Sequence, residues 1–180
     1  MIYDVSVRPA EPDEQALVAG LFQFYTYHFS QFEPPSSPRF EVDANGQFEA
    51  YPELASYWPS PGRTTAADRW ALVIRVGGRV AGFALLNQLS HRGGAVERNM
   101  AEMFVLAKYR RAGVASAAVV QIFDAHPGQW EVAIAQRNAP AIAFWPRVLA
   151  NEPGVHQLRE HAGDGVHWTG PIWSFRYQRP

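Results

Sequence analysis

The chain reads as an α/β domain, a mixed sheet with helices on both of its faces. Three observations predict this. Gly77-Gly78 joins two apolar runs at the middle of the chain as a tight hairpin. A strand, a basic turn and a small-residue helix follow one another in Ala101–Val120, AEMFVLAKYRRAGVASAAVV. A second strand–helix unit and a terminal pair of strands come after it.

Taken in order, Tyr3 to Arg8 alternates and predicts a first strand. Pro12 then opens a helix with Asp13 and Glu14 in its first turn, where proline and acids are favoured. Leu17, Leu21, Phe24, His28 and Phe32 recur at helical spacing and predict its buried stripe. Glu33 to Gln47 carries three prolines and then Asn45-Gly46, the chemistry of a loop. Pro52 to Trp58 suits a short helix, ended by Pro59-Ser60-Pro61-Gly62.

Arg69–Val76 and Arg79–Ser90 form the hairpin around Gly77-Gly78, since glycines tolerate the positive φ of a two-residue turn. His91 to Asn99 reads as a polar loop. Ala101 to Leu106 is the next strand, and a helix runs from Ala112 to about Ala125, stopped by His126-Pro127-Gly128. Trp130 to Gln136 is a strand. Asn138 caps a helix to about Leu149, with Pro140 in its first turn. Gly154 to Gln178 predicts two final strands around His161–Gly165. The order β-α-α-β-β-β-α-β-α-β-β shows no repeat, linker or second domain, so residues 1–180 are expected to be one domain.

Composition narrows the function. Hydrophobic residues at 47% and charged residues at 18% are those of an ordinary globule with a full core. A net charge of −1 gives no electrostatic case for nucleic acid as a partner. The absence of cysteine excludes disulfides, thiolate metal sites and a cysteine nucleophile, and it fits a cytoplasmic location. The start has no signal-peptide pattern, and no run approaches the length of a membrane span.

The chemistry concentrates at Lys108–Ser116. A helix that starts on small residues leaves its first N–H groups open, and the helix end adds partial positive charge, so the turn suits a phosphate or pyrophosphate. Gly113 and Ala115 let an anion approach the backbone, and Arg110 and Arg111 can add charge-assisted contacts. Rossmann and P-loop sites are excluded on residues. No G-x-G-x-x-G follows a strand, and Lys108 is the only lysine and is not part of a Gly-Lys-Ser/Thr motif.

The spacing Arg110-x-x-Gly113-x-Ala115, preceded by a strand and followed by a helix, resembles the acyl-CoA signature of the GNAT superfamily of N-acetyltransferases. Asn138-Ala139-Pro140-Ala141-Ile142-Ala143-Phe144-Trp145 is similar to that superfamily's Asn-x-x-Ala-x-x-aromatic-Tyr segment. The resemblance covers nearly the whole chain and fits least over residues 33–62. It implies a mixed, mostly antiparallel central sheet with a bulge in the fourth strand that splays it from the fifth. It also implies acetyl-CoA as acyl donor, with pantetheine lying along Met103-Phe104-Val105. An N–H near Val105 would polarise the thioester. Arg110, Arg111, Ala112, Gly113, Val114, Ala115 and Ser116 would hold the pyrophosphate, and Asn138 would hydrogen-bond the cofactor across the gap. No metal is implied.

Acetyl transfer to an amine also needs a base. The resemblance puts it on the fourth or fifth strand, which makes Glu102 the candidate, with Glu131 and Glu97 as alternatives. A carboxylate beside an apolar cleft has a raised pKa, which suits the role. Trp145 departs from the pattern, because many members carry a tyrosine there as acid toward the leaving thiolate and indole does not ionise usefully. Tyr109 and Tyr177 are substitutes on chemistry alone. His156, His161 and His167 lack an acid or cysteine at metal-ligand spacing and read as surface residues. The rings of Phe22, Phe24, Tyr25, Tyr27, Phe29 and Phe32, with Tyr51, Tyr57 and Trp58, are core by default and border an acceptor pocket if the resemblance holds.

The function expected is transfer of an acetyl group from acetyl-CoA to a primary amine of a small molecule, by direct attack in a ternary complex, in a monomer or homodimer. The alternatives are a non-catalytic acyl-CoA-binding sensor and a protein or peptide N-acetyltransferase.

Overall fold

The computed structural model describes residues 3–58 and 68–180. Seven strands form one sheet in the order β1-β2-β3-β4-β5-β7-β6. They are β1 (Val5–Pro9), β2 (Trp70–Val76), β3 (Arg79–Leu89), β4 (Ala95–Val105), β5 (Gly128–Ala133), β6 (Val155–Ala162) and β7 (Pro171–Tyr177). All neighbours are antiparallel except β4 and β5, which run parallel, as a crossover through a helix requires. The helices are α1 (Gln15–Ser30), α2 (Val114–Ala125) and α3 (Ala139–Asn151), with single 3-10 turns at Pro12–Glu14, Leu54–Tyr57 and Ala107–Tyr109.

The two faces of the sheet separate cleanly by strand alternation. Val73, Phe83, Leu85 and Phe104 pack against Val18, Leu21 and Phe22 of α1. Leu72, Ala84, Leu86 and Met100 pack on the opposite face with Val119, Ile122 and Phe123 of α2 and with Trp145 and Leu149 of α3. The expected arrangement, helices on both faces of a mostly antiparallel sheet, is therefore the observed one.

Local chemistry explains the element ends. Gly77 and Gly78 take φ of +53° and +75°, the turn that the hairpin needs. Asn138 caps α3 by accepting the Ala141 N–H at 3.2 Å. Glu14, at the start of the first helical segment, also ties that end to the sheet. Its carboxylate takes Arg8 and Arg75, each at 2.7 Å.

Three expectations need correction. The buried stripe of α1 is Val18, Leu21 and Phe22 with Tyr25 beside it, not Leu17-Leu21-Phe24-His28-Phe32, and Phe24 is 58% exposed. The helix is apolar nearly all round, so spacing alone does not choose its inward face. His91–Asn99 is not one loop, because β4 begins at Ala95. The polar residues there hide a strand, and one of them, Glu97, accepts the Gln129 N–H at 2.7 Å. The Pro52–Trp58 helix is a single 3-10 turn. The stop at Pro59–Gly62 lies outside the described residues.

Candidate active site

The site originates in two irregularities of β4. It pairs with β5 only at Arg98↔Trp130 and Asn99↔Glu131, after which the two strands part. Against β3 its register slips by one residue between Leu86↔Met100 and Leu85↔Glu102, which leaves Ala101 as a bulge. Alternation would put Asn99 and Glu102 on opposite faces. The extra residue puts them on the same one, opposite Asn87 and Leu85 of β3.

A cavity of about 830 Å³ opens where the strands part. Its floor is Met100 to Met103 on one side and Ala133 to Ala135 on the other. Phe22, Tyr25 and Phe29 of α1, with Tyr51, wall it, and Asn138 at the cap of α3 and Trp145 within α3 close the far side.

Glu102 lies in this cavity. The Tyr25 hydroxyl donates to its Oε2. Burial pushes the carboxyl up to about 7, against the opposing effects of the Tyr25 hydrogen bond, the nearby His91 and the Tyr51 hydroxyl. Burial, followed by the charge of Glu102, drives the Tyr25 phenol well above its ordinary range, and the same two causes raise Tyr51. Both phenols therefore stay protonated and can donate to the carboxylate.

The other two acids are committed elsewhere. Glu131 is buried and accepts from Ser90 Oγ at 2.8 Å and the His91 N–H at 2.6 Å. Burial alone would raise its pKa, but these bonds and His91 outweigh it and hold the carboxyl below its usual range. Glu97 sits on the Gln129 N–H.

Beyond the bulge, strand alternation decides which amides are open. Leu106 donates to the Ala81 carbonyl on β3 at 2.8 Å. Phe104 therefore faces β3 as well, and Met103 and Val105 turn their N–H groups to the gap. The Val105 carbonyl, on that same edge, accepts Arg110 Nε at 2.7 Å. Gly82 lets the two strands approach here, since a Cβ on it would stand 2.0 Å from the Phe104 oxygen.

The turn after β4 is built as the residues suggest. Gly113 has φ of +78° and no atom near the position of a Cβ, so its conformation, not crowding, calls for glycine. Helix α2 makes its first ladder bond from Ala117 N–H to the Gly113 carbonyl at 3.0 Å. Among the described residues the amides of Arg111 to Ser116 donate to no protein acceptor. This row of open N–H groups at a helix start matches the needs of a pyrophosphate. Arg111 is exposed beside it. Arg110 is turned inward instead, over the Phe104 ring at 5.2 Å and to His28 Nδ1 at 3.2 Å.

Of the remaining candidates, Tyr177 is buried and donates to Asp124 Oδ1 at 2.7 Å, and Tyr109 packs at the start of α2. Neither lines the cavity. Trp145 does, at 3% exposure. Tyr27 is 69% exposed, Tyr57 and Trp58 are core, and of the candidate rings Phe22, Tyr25, Phe29 and Tyr51 line the cavity, joined by Phe40, Trp145 and Trp168. His161 bonds Ser174 at 2.8 Å and His167 bonds Asp164 at 2.7 Å. Sequence reasoning missed Asn87 and Asn99, whose meeting depends on register.

A model of the Acetyltransferase (GNAT) family matches residues 23–150. That is well over half of the chain, and the chain belongs to this family of acyltransferases. Solved structures resemble it over nearly their whole length. An acetyltransferase from Thermus thermophilus has a TM-score of 0.60 at 13% identity, covering 97% of each chain. The PaiA N-acetyltransferase of Thermoplasma acidophilum, in complex with coenzyme A, has a TM-score of 0.61 at 9% identity, covering 97% of this chain and 99% of the other. The spermidine N-acetyltransferase of Vibrio cholerae, in complex with CoA and spermine, has a TM-score of 0.56 at 14% identity, covering 97% of this chain and 95% of the other. No curated protein sequence matches. Among the described residues no helix is long and apolar enough to cross a membrane.

Proposed function

We propose that the protein transfers an acetyl group from acetyl-CoA to a primary amine of a small molecule, by direct attack within a ternary complex. The observation that carries this reading is the placement of Glu102. It is a carboxyl raised to about 7, in a cavity lined by aromatic rings, on the strand whose later amides face an open gap.

The residues fit the donor. The open amides of Arg111, Ala112, Gly113, Val114, Ala115 and Ser116 suit its pyrophosphate, with Arg111 adding charge. The Met103–Val105 edge suits an extended arm, and the Val105 N–H suits a carbonyl oxygen that gains negative charge. Arg110 holds the Val105 carbonyl, which fixes this edge. Asn138 spends its oxygen on the α3 cap and keeps its amide nitrogen for a second contact. Acetyl-CoA supplies a thioester-activated acetyl group. The protein supplies orientation, donors and a base.

An amine must lose a proton to attack, and Glu102 takes it directly or through one water. Tyr25 and Tyr51 hold the carboxylate in place. The walls of Phe22, Phe29 and Tyr51 favour a small acceptor over a polypeptide. Release of an alkyl thiol with a pKa of roughly 8.5 needs only modest help, so Trp145 in place of a phenol is compatible with turnover. We read residues 1–180 as one such domain, acting in the cytoplasm as a monomer or homodimer. The single seven-stranded sheet and the absence of cysteine support this.

The test combines calorimetry with acetyl-CoA and a screen of amines with thiol detection. Binding in the micromolar range together with turnover of at least one small amine is the expected result. Binding without turnover of any amine makes the protein a sensor, and absence of binding overturns the assignment.

A further inference from the structure

The cavity has a second polar end that the reaction itself does not use. Asn87 Oδ1 accepts two hydrogen bonds, from the Leu89 N–H at 3.0 Å and from Asn99 Nδ2 at 2.9 Å. A backbone N–H only donates, so the Asn87 oxygen must face it. Asn99 must then offer its nitrogen to Asn87, and its own Oδ1 is left over. That oxygen belongs to a residue with no exposed surface, and it has no partner among the described residues. Both asparagines line the cavity.

An unpaired donor lies on the lining of the same cavity. Asn99 pairs with Glu131 across the β4–β5 ladder, and Glu131 accepts the His91 N–H. The Trp168 ring meets His91 edge-on at 4.4 Å between centroids. Trp168 Nε1 is buried without a hydrogen-bond partner among the described residues, whereas His91 Nδ1 lies 3.4 Å from Glu131 Oε1, and both residues line the cavity. A buried acceptor and a buried indole N–H, both left unpaired on the lining of one cavity, are costly in an empty site and selective in a filled one. A group that both donates and accepts would satisfy the two together.

We propose that this end of the cavity binds a second polar group of the amine substrate, a neutral hydroxyl or carboxamide whose hydrogen is taken by Asn99 Oδ1. The inference rests on the acetyl-transfer reading and deepens it. The pairs Leu85↔Glu102 and Asn87↔Asn99 are two residues apart on β3, which sets the second group roughly 7 Å from the reacting nitrogen. The substrate class is then a primary amine bearing a hydroxyl or amide about five bonds away, not a plain alkylamine.

The test compares kcat/KM for butylamine and pentylamine with their ω-hydroxyl and ω-carboxamide derivatives and with the corresponding diamines, acetyl-CoA being saturating. The wild-type protein is expected to favour a hydroxyl or carboxamide over the plain amine by about tenfold or more. Asn99→Leu and the milder Asn99→Ser should bring that ratio toward one. Equal values for all acceptors in the wild type overturn the inference, as does a preference that both variants keep. A diamine favoured above the neutral derivatives overturns it too, since an ammonium leaves Trp168 unpaired. Those outcomes leave acetyl transfer standing, whereas no turnover of any amine removes both readings. If neither variant folds, the wild-type comparison decides alone.

Discussion

Glu102 and Glu131 stand on adjacent strands of one sheet and have opposite electrostatic fates. Glu102 faces a cavity walled by rings, takes hydrogen bonds from phenols alone among the described residues, and is raised to about 7. Glu131 is buried too, yet a backbone N–H, a serine hydroxyl and a histidine hold it below the usual carboxylate range. Burial alone does not make a base. What separates them is whether fixed donors saturate the carboxylate. On β4 the bulge at Ala101 turns the carboxyl into the opening, and on β5, whose ladder with β7 is unbroken, the carboxyl sits against the turn that precedes β4.

The largest effect should come from the two matched amides. Glu102→Gln is expected to lower kcat by about 10²–10⁴ with little change in acetyl-CoA affinity, the usual span for loss of a general base. Glu131→Gln should keep the pH dependence of turnover and lower the melting temperature instead. Measured kcat values and thermal unfolding of both variants would break the comparison if the effects were exchanged.

Next in size is loss of donor binding. Gly113→Val imposes a β-branched side chain on a φ of +78°. It should abolish the rise in melting temperature that acetyl-CoA gives the wild type through linkage. A preserved rise would detach the open amides from the donor site and leave the base assignment on its own.

The stability curves sharpen the contrast, because the two shifts have opposite signs. The folded pKa of Glu102 is above its unfolded value of 4.5, so the fold binds the extra proton and loses stability as pH rises from about 4.5 to about 7. Glu131 is lowered, so its contribution is present above 4.5 and is lost as pH falls through its folded pKa. Denaturant unfolding across this range should show Glu102→Gln removing the loss on the alkaline side. Glu131→Gln should remove the loss on the acidic side.

Much of this was legible in local chemistry. Gly77-Gly78, the Asn138 cap and the Gly113 turn each depend on residues close together in the chain, and each folds as its residues require. Glu102 was legible through resemblance, as the acid on the strand before that turn. The face of α1 was not, since apolar residues surround the helix and only the position of the sheet selects Val18, Leu21 and Phe22. The first half of β4 was hidden by Glu97, Arg98 and Asn99, polar residues whose partners lie far along the chain. The resemblance implied a bulge in the fourth strand but not its position at Ala101, so the shared face of Asn99 and Glu102 was not legible, and with it the Asn87–Asn99 pair.

The smallest effects concern the groups around the base. Tyr25→Phe removes a hydrogen bond that holds the Glu102 pKa down, so the midpoint of the pH–rate profile should move upward, with a loss of only a few-fold in kcat at high pH. Trp145→Tyr places a phenol at the far wall and should raise kcat by a few-fold, mainly at lower pH, where thiolate departure gains most from an acid. Rate profiles of the two variants check both expectations.

The assignment of Glu102 as base stands or falls on the pH dependence of kcat/KM in wild type and Glu102→Gln. Wild-type activity should rise with pH through a midpoint near 7, as the carboxyl ionises, and the variant should lack that step. The same midpoint persisting in Glu102→Gln would contradict the account and assign the proton to another group.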